Sequence, residues 1–205
     1  MIEEETTTET SPPTGPASLG QRLVLFLVAA AVILVDHVSK LFIETQLPLN
    51  QSWAPIPELS HLFQFTHVSN TGAAFGLFPS GSLAFGLVAA VVAVFIVIYN
   101  YQLPAGHFWL RLALGLQLAG ALGNLIDRVR QGHVTDFLDF GPWPVFNLAD
   151  TSIVAGVVIL GLLMLQEIKE EREMRERALA AEEPGSEQKS PMSRLQSPPH
   201  NEQAT

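Results

Sequence analysis

The chain has no cysteine. That excludes disulfides, thiolate zinc sites and a cysteine nucleophile. Charge is scarce as well: Asp, Glu, Lys and Arg make up 15% of the 205 residues, against about 25% in an average soluble domain. Basic residues are scarcer still, 11 Lys+Arg against 20 Asp+Glu for a net charge of −9. No basic patch exists to neutralise phosphates, so nucleic acid is excluded as a ligand. Residues 44–106 contain no Lys or Arg at all. No His-Glu-x-x-His zinc motif and no glycine-rich phosphate loop ending in Lys occur, and Ser39 and Lys40 are adjacent, on different faces of a helix.

What is present is apolar: 48% hydrophobic residues and a mean hydropathy of +0.28. Four long apolar segments stand out, Arg22–Ile43, Gly81–Tyr101, about His107–Ile126 and about Leu148–Leu165. Some 20 residues at about 1.5 Å each span a hydrocarbon core of about 30 Å. Four such segments leave too little polar sequence to cover them as buried helices of a soluble protein. The reading is an all-α integral membrane protein with four transmembrane helices. Arg22, Arg111, Lys169, Arg172, Arg175 and Arg177 fall on one side, and only Arg128 and Arg130 on the other. The positive-inside rule then puts both termini in the cytoplasm.

The excess acidity lies in the tails. Residues 1–21 carry net −4, residues 166–205 net −3, and the core between them net −2 from seven acids and five bases. Residues 1–21 and the chain beyond Pro184 read as disordered, and residues 167–177 as a charged extension of the last helix, with Glu171–Arg175 and Glu173–Arg177 spaced i,i+4. An acidic start followed by a long apolar segment does not fit a cleaved secretory signal. Residues 44–80 form the first external piece, where Pro48, Pro55, Pro57 and Pro79 forbid a continuous helix and His61–Val68 looks strand-like. Residues 129–147 form the second.

The core charges need individual reasons, since an Asp or Lys at the centre of a membrane helix costs roughly 2.5–3.5 kcal/mol. Asp36 and Lys40 share a face of the first helix at i,i+4, either tethering helices or orienting a nearby site. Gly115, Ala119 and Gly123 recur every four residues on the third helix and allow close helix approach. Its outer end gathers Asn124, Asp127 and Arg128; Asp127 beside Arg128 suits an ion pair as well as a catalyst. Asp136 and Asp150 are separated by 13 residues that include Gly141-Pro142-Trp143-Pro144. That loop is long enough to fold back and pair the two carboxylates, although Asp150 near a helix start also suits a capping role. Two close carboxylates share one proton. The ionised one can deprotonate water, and the protonated one can polarise a peptide carbonyl and protonate the leaving amine. A proton- or ion-coupled transporter is the alternative from another class, but the four segments show no repeat of the kind such folds carry.

Five pieces taken in order resemble signal peptidase II, the bacterial lipoprotein signal peptidase family: Asp36-x-x-Ser39-Lys40; Asn70-Thr71-Gly72-Ala73-Ala74-Phe75-Gly76; Gly123-Asn124-Leu125-Ile126-Asp127-Arg128; Gly132-x-Val134-x-Asp136-Phe137; and Phe146-Asn147-x-Ala149-Asp150. The resemblance covers about residues 22–166 and implies an intramembrane aspartyl peptidase with Asp136 and Asp150 as its catalytic pair and no metal or cofactor. The substrates implied are prolipoproteins, cut just before a cysteine modified with diacylglycerol. Asn70, Gly120, Asn124, Arg128 and Asn147 match positions near the substrate or the family's inhibitor globomycin; Gly72 and Ala149 match substrate-binding or site-supporting positions, and Asp36, Lys40 and Asp127 match supporting polar ones. The resemblance further implies a monomer in the bacterial inner membrane, with residues 44–80 as an extracytoplasmic β-rich cradle between helices 1 and 2. Phe63, Phe65, Phe75 and Phe78 would contact acyl chains or rest on the membrane surface. Ala119 and Thr151 stand where many members have Gly and Ser, and the loop between the two Asp residues is short for the family.

Overall fold

A computed structural model describes residues 15–72 and 82–182. The chain divides into two compact units, Met1–Met164 and Leu165–Thr205. Four helices carry the fold: α1 (Leu19–Gln46), α2 (Ser82–Gln102), α3 (Phe108–Gln131) and α4 (Leu148–Glu182). All four are long and apolar enough to cross a membrane. Three short strands, β1 (Ser52–Trp53), β2 (Gln64–Asn70) and β3 (Val134–Asp139), form an antiparallel sheet in the order β1-β2-β3.

The helix ends follow from local chemistry. Ser18 caps α1 in a reciprocal box with Gln21, so the helix begins inside the segment expected to be disordered. The strand-like pairing of Pro16 with Pro104, and the bond from the Ala105 N–H to the Gly15 carbonyl, order that stretch further. Pro48 stops α1, because the residue before a proline is driven out of the helical region; Leu47 is extended. Gly132, at φ 81°, closes α3 in the left-handed conformation, its N–H bonded to the Arg128 carbonyl, and releases the chain directly into β3.

The helix α3 is the hub. More than half of its most apolar stretch is buried, against about a fifth for each of the other three. Leu25 and Ala29 of α1, Ala93 and Ile96 of α2, and Leu114, Leu118 and Ala119 of α3 form the apolar core. Leu27, Phe95 and Val154 lie on outward faces, as lipid-facing residues do. Inside lipid the helices hold by close packing rather than by hydrophobic burial, and the small residues set that closeness. A Cβ on Gly115 would stand 2.9 Å from the Leu25 carbonyl, and one on Gly156 would stand 2.8 Å from the Ala113 carbonyl. A Cβ on Gly120 would collide with the Ala149 carbonyl and the Ile153 side chain. Gly120 lies off the four-residue stripe, yet it carries the tightest approach to α4.

The sheet is not confined to the segment between α1 and α2. Its edge strand β3 comes from the connection between α3 and α4, pairing with β2 so that Val68 faces Asp136 and Asn70 faces Val134. That juxtaposition draws the α1–α2 connection onto the α3–α4 connection. Trp53, Phe65, Phe63, Phe140 and Phe146 follow one another in ring contact at centroid distances of 4.9–5.9 Å. Phe63 and Phe65 therefore pack the sheet; Phe75 and Phe78 lie outside the described residues. In the second unit, Glu173 lies between Lys169 and Arg177 at 3.9 Å from each, on an exposed helical stretch.

Gly120→Leu is expected to destabilise the protein by about 1–3 kcal/mol or more, through forced separation of α3 and α4. Gly161→Ala, where nothing lies near the new Cβ, is expected to stay within about 0.5 kcal/mol. Thermal unfolding in detergent measures both.

Candidate active site

The return of the chain after β3 brings two distant carboxylates together. Gly141, at φ 70°, turns the loop, and Phe146 folds back on β3: its carbonyl accepts from the Phe137 and Leu138 N–H groups at 2.9 and 2.7 Å, and its N–H bonds the Leu138 carbonyl. Asn147 then caps α4. Its Oδ1 accepts the Asp150 N–H at 2.9 Å, while Asp150 Oδ2 accepts the Asn147 N–H at 3.4 Å. This is a capping box with Asp at the third helical position. Asp150 thus fills the capping role that its place in the sequence suggested and joins the site as well.

Asn147 also reaches across the site. Its Nδ2 donates to Asp136 Oδ1 at 2.6 Å and to Asn124 Oδ1 at 3.2 Å. Asn70, at the end of β2, donates to Asp136 Oδ2 at 2.9 Å, and its own Oδ1 accepts the Gly72 N–H. Asn124 donates through Nδ2 to Asp150 Oδ1 at 2.7 Å. Three asparagine amides therefore hold two carboxylates. Burial, first, and the neighbouring charge of Asp150 push the Asp136 carboxyl up to about 7, against the pull of the Asn70 and Asn147 hydrogen bonds and of Lys40.

A charge cluster stands behind the amides. Lys40 is fully buried, and its Nζ lies 2.7 Å from Asp36 Oδ2, 2.7 Å from Asp127 Oδ2 and 3.2 Å from Asn124 Oδ1. Asp127 therefore pairs with Lys40 rather than with its neighbour Arg128. Lys40 fixes which way the Asn124 amide points: turned over, its NH2 would face an ammonium. Asp36 Oδ1 accepts the Ala149 N–H at 2.9 Å, one of the amides that the first turn of α4 leaves unpaired. A Cβ on Gly123 would stand 3.0 Å from Asp36 Oδ2, so the glycine admits the carboxylate. Arg128 donates to the Asn124 carbonyl at 3.2 Å, lies over the Phe85 ring, and is within electrostatic reach of Asp150, Asp136 and Asp127.

Asp139 stays out of this cluster. It accepts from Thr66 Oγ1 at 2.6 Å, Gln64 Nε2 at 2.8 Å and the Gly141 N–H at 3.0 Å. Burial alone would raise it, but those bonds hold its carboxyl below the usual range, and it stitches β2 to β3. Arg111, counted in the sequence among the flanking cations, is buried and donates to the Leu103 and Pro104 carbonyls at the end of α2. Among the described residues no group of three or more His, Asp or Glu could hold a metal; His133 Nδ1 contacts the Gln131 carbonyl.

Residues 28–166 match the family model described as signal peptidase (SPase) II. The chain belongs to the signal peptidase II family. Relatives named lipoprotein signal peptidase include one from Halothermothrix orenii, 42% identical over 71% of this chain and 98% of that one. One from Moorella thermoacetica is 48% identical over 65% and 87%, and one from Pseudomonas aeruginosa 40% over 72% and 91%. A solved structure described as a bacterial membrane enzyme, obtained by the in meso method at 2.3 Å, superposes with a TM-score of 0.68 at 29% identity, covering 77% of this chain and 94% of its own. Signal peptidase II membership and four apolar helices make this a multi-pass bacterial membrane protein and a protease of lipoprotein processing.

The described residues bring together Asp36, Lys40, Asn70, Gly120, Asn124, Asp127, Arg128, Asp136, Asn147, Ala149 and Asp150, and Gly72 adjoins them through Asn70. Sequence reasoning missed Glu44 and Thr135, linked by a 2.6 Å hydrogen bond beside Asp136. The only signal for them was a Glu near the C-terminal end of an apolar helix with no partner nearby in sequence.

Lys40→Met leaves Asp36 and Asp127 buried without a cation and is expected to cost about 3–5 kcal/mol. Adding Asp127→Asn is expected to recover part of that loss. Unfolding midpoints of the purified variants are the check.

Proposed function

We propose that the protein is an intramembrane aspartyl endopeptidase. It removes the signal peptide from diacylglyceryl-modified bacterial prolipoproteins by cutting just before the lipid-modified cysteine. The observation that carries the reading is the joint anchoring of Asp136 and Asp150 by Asn147, with Asp136 raised to about 7. A carboxyl raised to about 7 still holds its proton in a large share of molecules at neutral pH and can donate it, which gives Asp150 the role of base.

The reaction follows from those two states. Asp150 takes a proton from water, and the oxygen attacks the scissile carbonyl while Asp136 donates a hydrogen bond to the carbonyl oxygen. The tetrahedral adduct then collapses, the peptide C–N bond breaks, and the amine leaves with a proton from the pair. Asn70 has a side-chain carbonyl and Arg128 spare donors for an extended peptide or the developing oxyanion. No metal enters this scheme. The same reading places both termini in the cytoplasm and the carboxylate pair near the extracytoplasmic surface of the inner membrane. The sheet then forms a cradle there, where a lipid-modified substrate enters sideways. Globomycin would compete for that site, and the enzyme works as a monomer. Proton-coupled transport is disfavoured because Lys40 is held between Asp36 and Asp127 instead of lining an open path.

Asp136→Asn and Asp150→Asn are each expected to insert normally and to lose cleavage of a diacylglyceryl-modified prolipoprotein by about a thousandfold or more, followed by product mass with and without globomycin. Near-parental turnover in either variant would sink the reading. The cleavage rate is expected to fall as pH rises through about 7, where the pair loses its shared proton. It is also expected to fall at low pH as the base is protonated. A flat profile from pH 4 to 9, measured where chemistry limits the rate, would contradict the two-carboxylate scheme.

A further inference from the structure

Asp136 is held at its carboxylate by two asparagines, but its strand is held from behind. Successive residues of a strand face opposite sides, so Thr135 points away from the face that Asp136 occupies. Thr135 is fully buried, and its hydroxyl donates to Glu44 Oε1 at 2.6 Å while accepting from Gln131 Nε2 at 3.1 Å. Gln131 also reaches Glu44 Oε1, at 3.4 Å, and Arg130 approaches both Glu44 oxygens at 3.3 Å. Three elements meet there: the C-terminal end of α1, the last turn of α3 and the start of β3.

That start is held along one edge by the β2 ladder, with Ser69 opposite Thr135 and Asn70 opposite Val134, and the Glu44 bond ties it to α1. The strand lies at the edge of the sheet, and the Phe146 pairing reaches only Phe137 and Leu138. Just before it comes Gly132, whose carbonyl accepts from Ser82 Oγ at 2.7 Å. The Arg130–Glu44 pair is partly exposed, so it adds little on its own; the buried Thr135 bond is the firm contact.

We propose that Glu44 is a positioning residue for Asp136: through the Thr135 hydroxyl it fixes β3 against the end of α1, and thereby the placement of Asp136 relative to Asp150. Only its consequence for turnover rests on the peptidase reading. The charged groups facing Asp136 are Asp150 from α4, Lys40 from α1 and Arg128 from α3. None of them changes in the variants below.

The test uses the full chain in lipid nanodiscs with two readouts. One is kcat and KM on a diacylglyceryl-modified prolipoprotein. The other is the NMR titration of aspartate carboxyl carbons, with the Asp136 signal assigned by its loss in Asp136→Asn. Glu44→Ala is expected to lower kcat about tenfold to a hundredfold, the scale of a small misplacement of a reacting group, with KM within about threefold. Water reaching a loosened Asp136 is expected to move its midpoint downward from about 7. Glu44→Gln removes the charge but keeps an acceptor for Thr135 and Gln131, and is expected to restore both readouts. Thr135→Val, close in shape, is expected to behave as Glu44→Ala does and to add nothing in the double variant; it carries the test if Glu44→Ala does not insert. Parental kcat and midpoint in both Glu44→Ala and Thr135→Val would overturn the proposal. So would a Glu44→Gln protein as impaired as Glu44→Ala, because charge rather than position would then be acting. Absence of cleavage by the parent protein would overturn the peptidase reading instead, and the titration would still decide on Glu44.

Discussion

One buried ammonium organises the site. Lys40 has no exposed surface and stands among Asp36, Asp127 and Asn124. A charge in that position is tolerable only when its partners are fixed, and each partner passes the constraint on. Asp36 takes the Ala149 amide and so locates the first turn of α4. Asn124, turned by Lys40, presents its NH2 to Asp150. The small residues Gly120 and Gly123 let α1, α3 and α4 come close enough for the cluster to close. The packing of the bundle and the aim of the carboxylates are consequently one problem with one solution.

The sheet plays the complementary part. The helices supply Asp150 and its supports; β2 and β3 supply Asn70 and Asp136. The two halves meet at Asn147, whose backbone and side chain touch both carboxylates. The aromatic chain from Trp53 to Phe146 and the Asp139 bonds to Thr66 and Gln64 stiffen the strand pair. The polar site thus rests on strands that ring contacts and side-chain hydrogen bonds hold together.

Much of this was legible beforehand. Hydropathy alone exposes four membrane helices, because a run of about 20 apolar residues has few other uses. The i,i+4 spacing of Asp36 and Lys40 is a local geometric fact, whereas the loop between Asp136 and Asp150 showed only that a fold-back was possible, and the family resemblance selected the pair. The motif order supplied Asn70, Asn124 and Asn147, whose amides would otherwise look like ordinary polar residues. Other features depended on contacts far apart in sequence. Glu44 meets Thr135 across 91 positions, and Asp127 turns to Lys40 instead of the adjacent Arg128. Arg111 read as a flanking cation until its carbonyl partners at the end of α2 were seen. The third strand was hidden because Val134–Asp139 alternates too weakly to be read as a strand, and only pairing with β2 makes it one.

The capping box at the start of α4 has a stereochemical consequence. Each oxygen of Asp150 already accepts one hydrogen bond, Oδ1 from Asn124 and Oδ2 from the Asn147 backbone. The carboxylate cannot spin about its last bond without breaking one of them. On the peptidase reading, a nucleophile that gives up a proton to it must come to the lone pairs still open, and so from a restricted range of directions. The substrate peptide would then be met on one face only, and a backbone bound with its other face forward would lie beside both acids and remain whole.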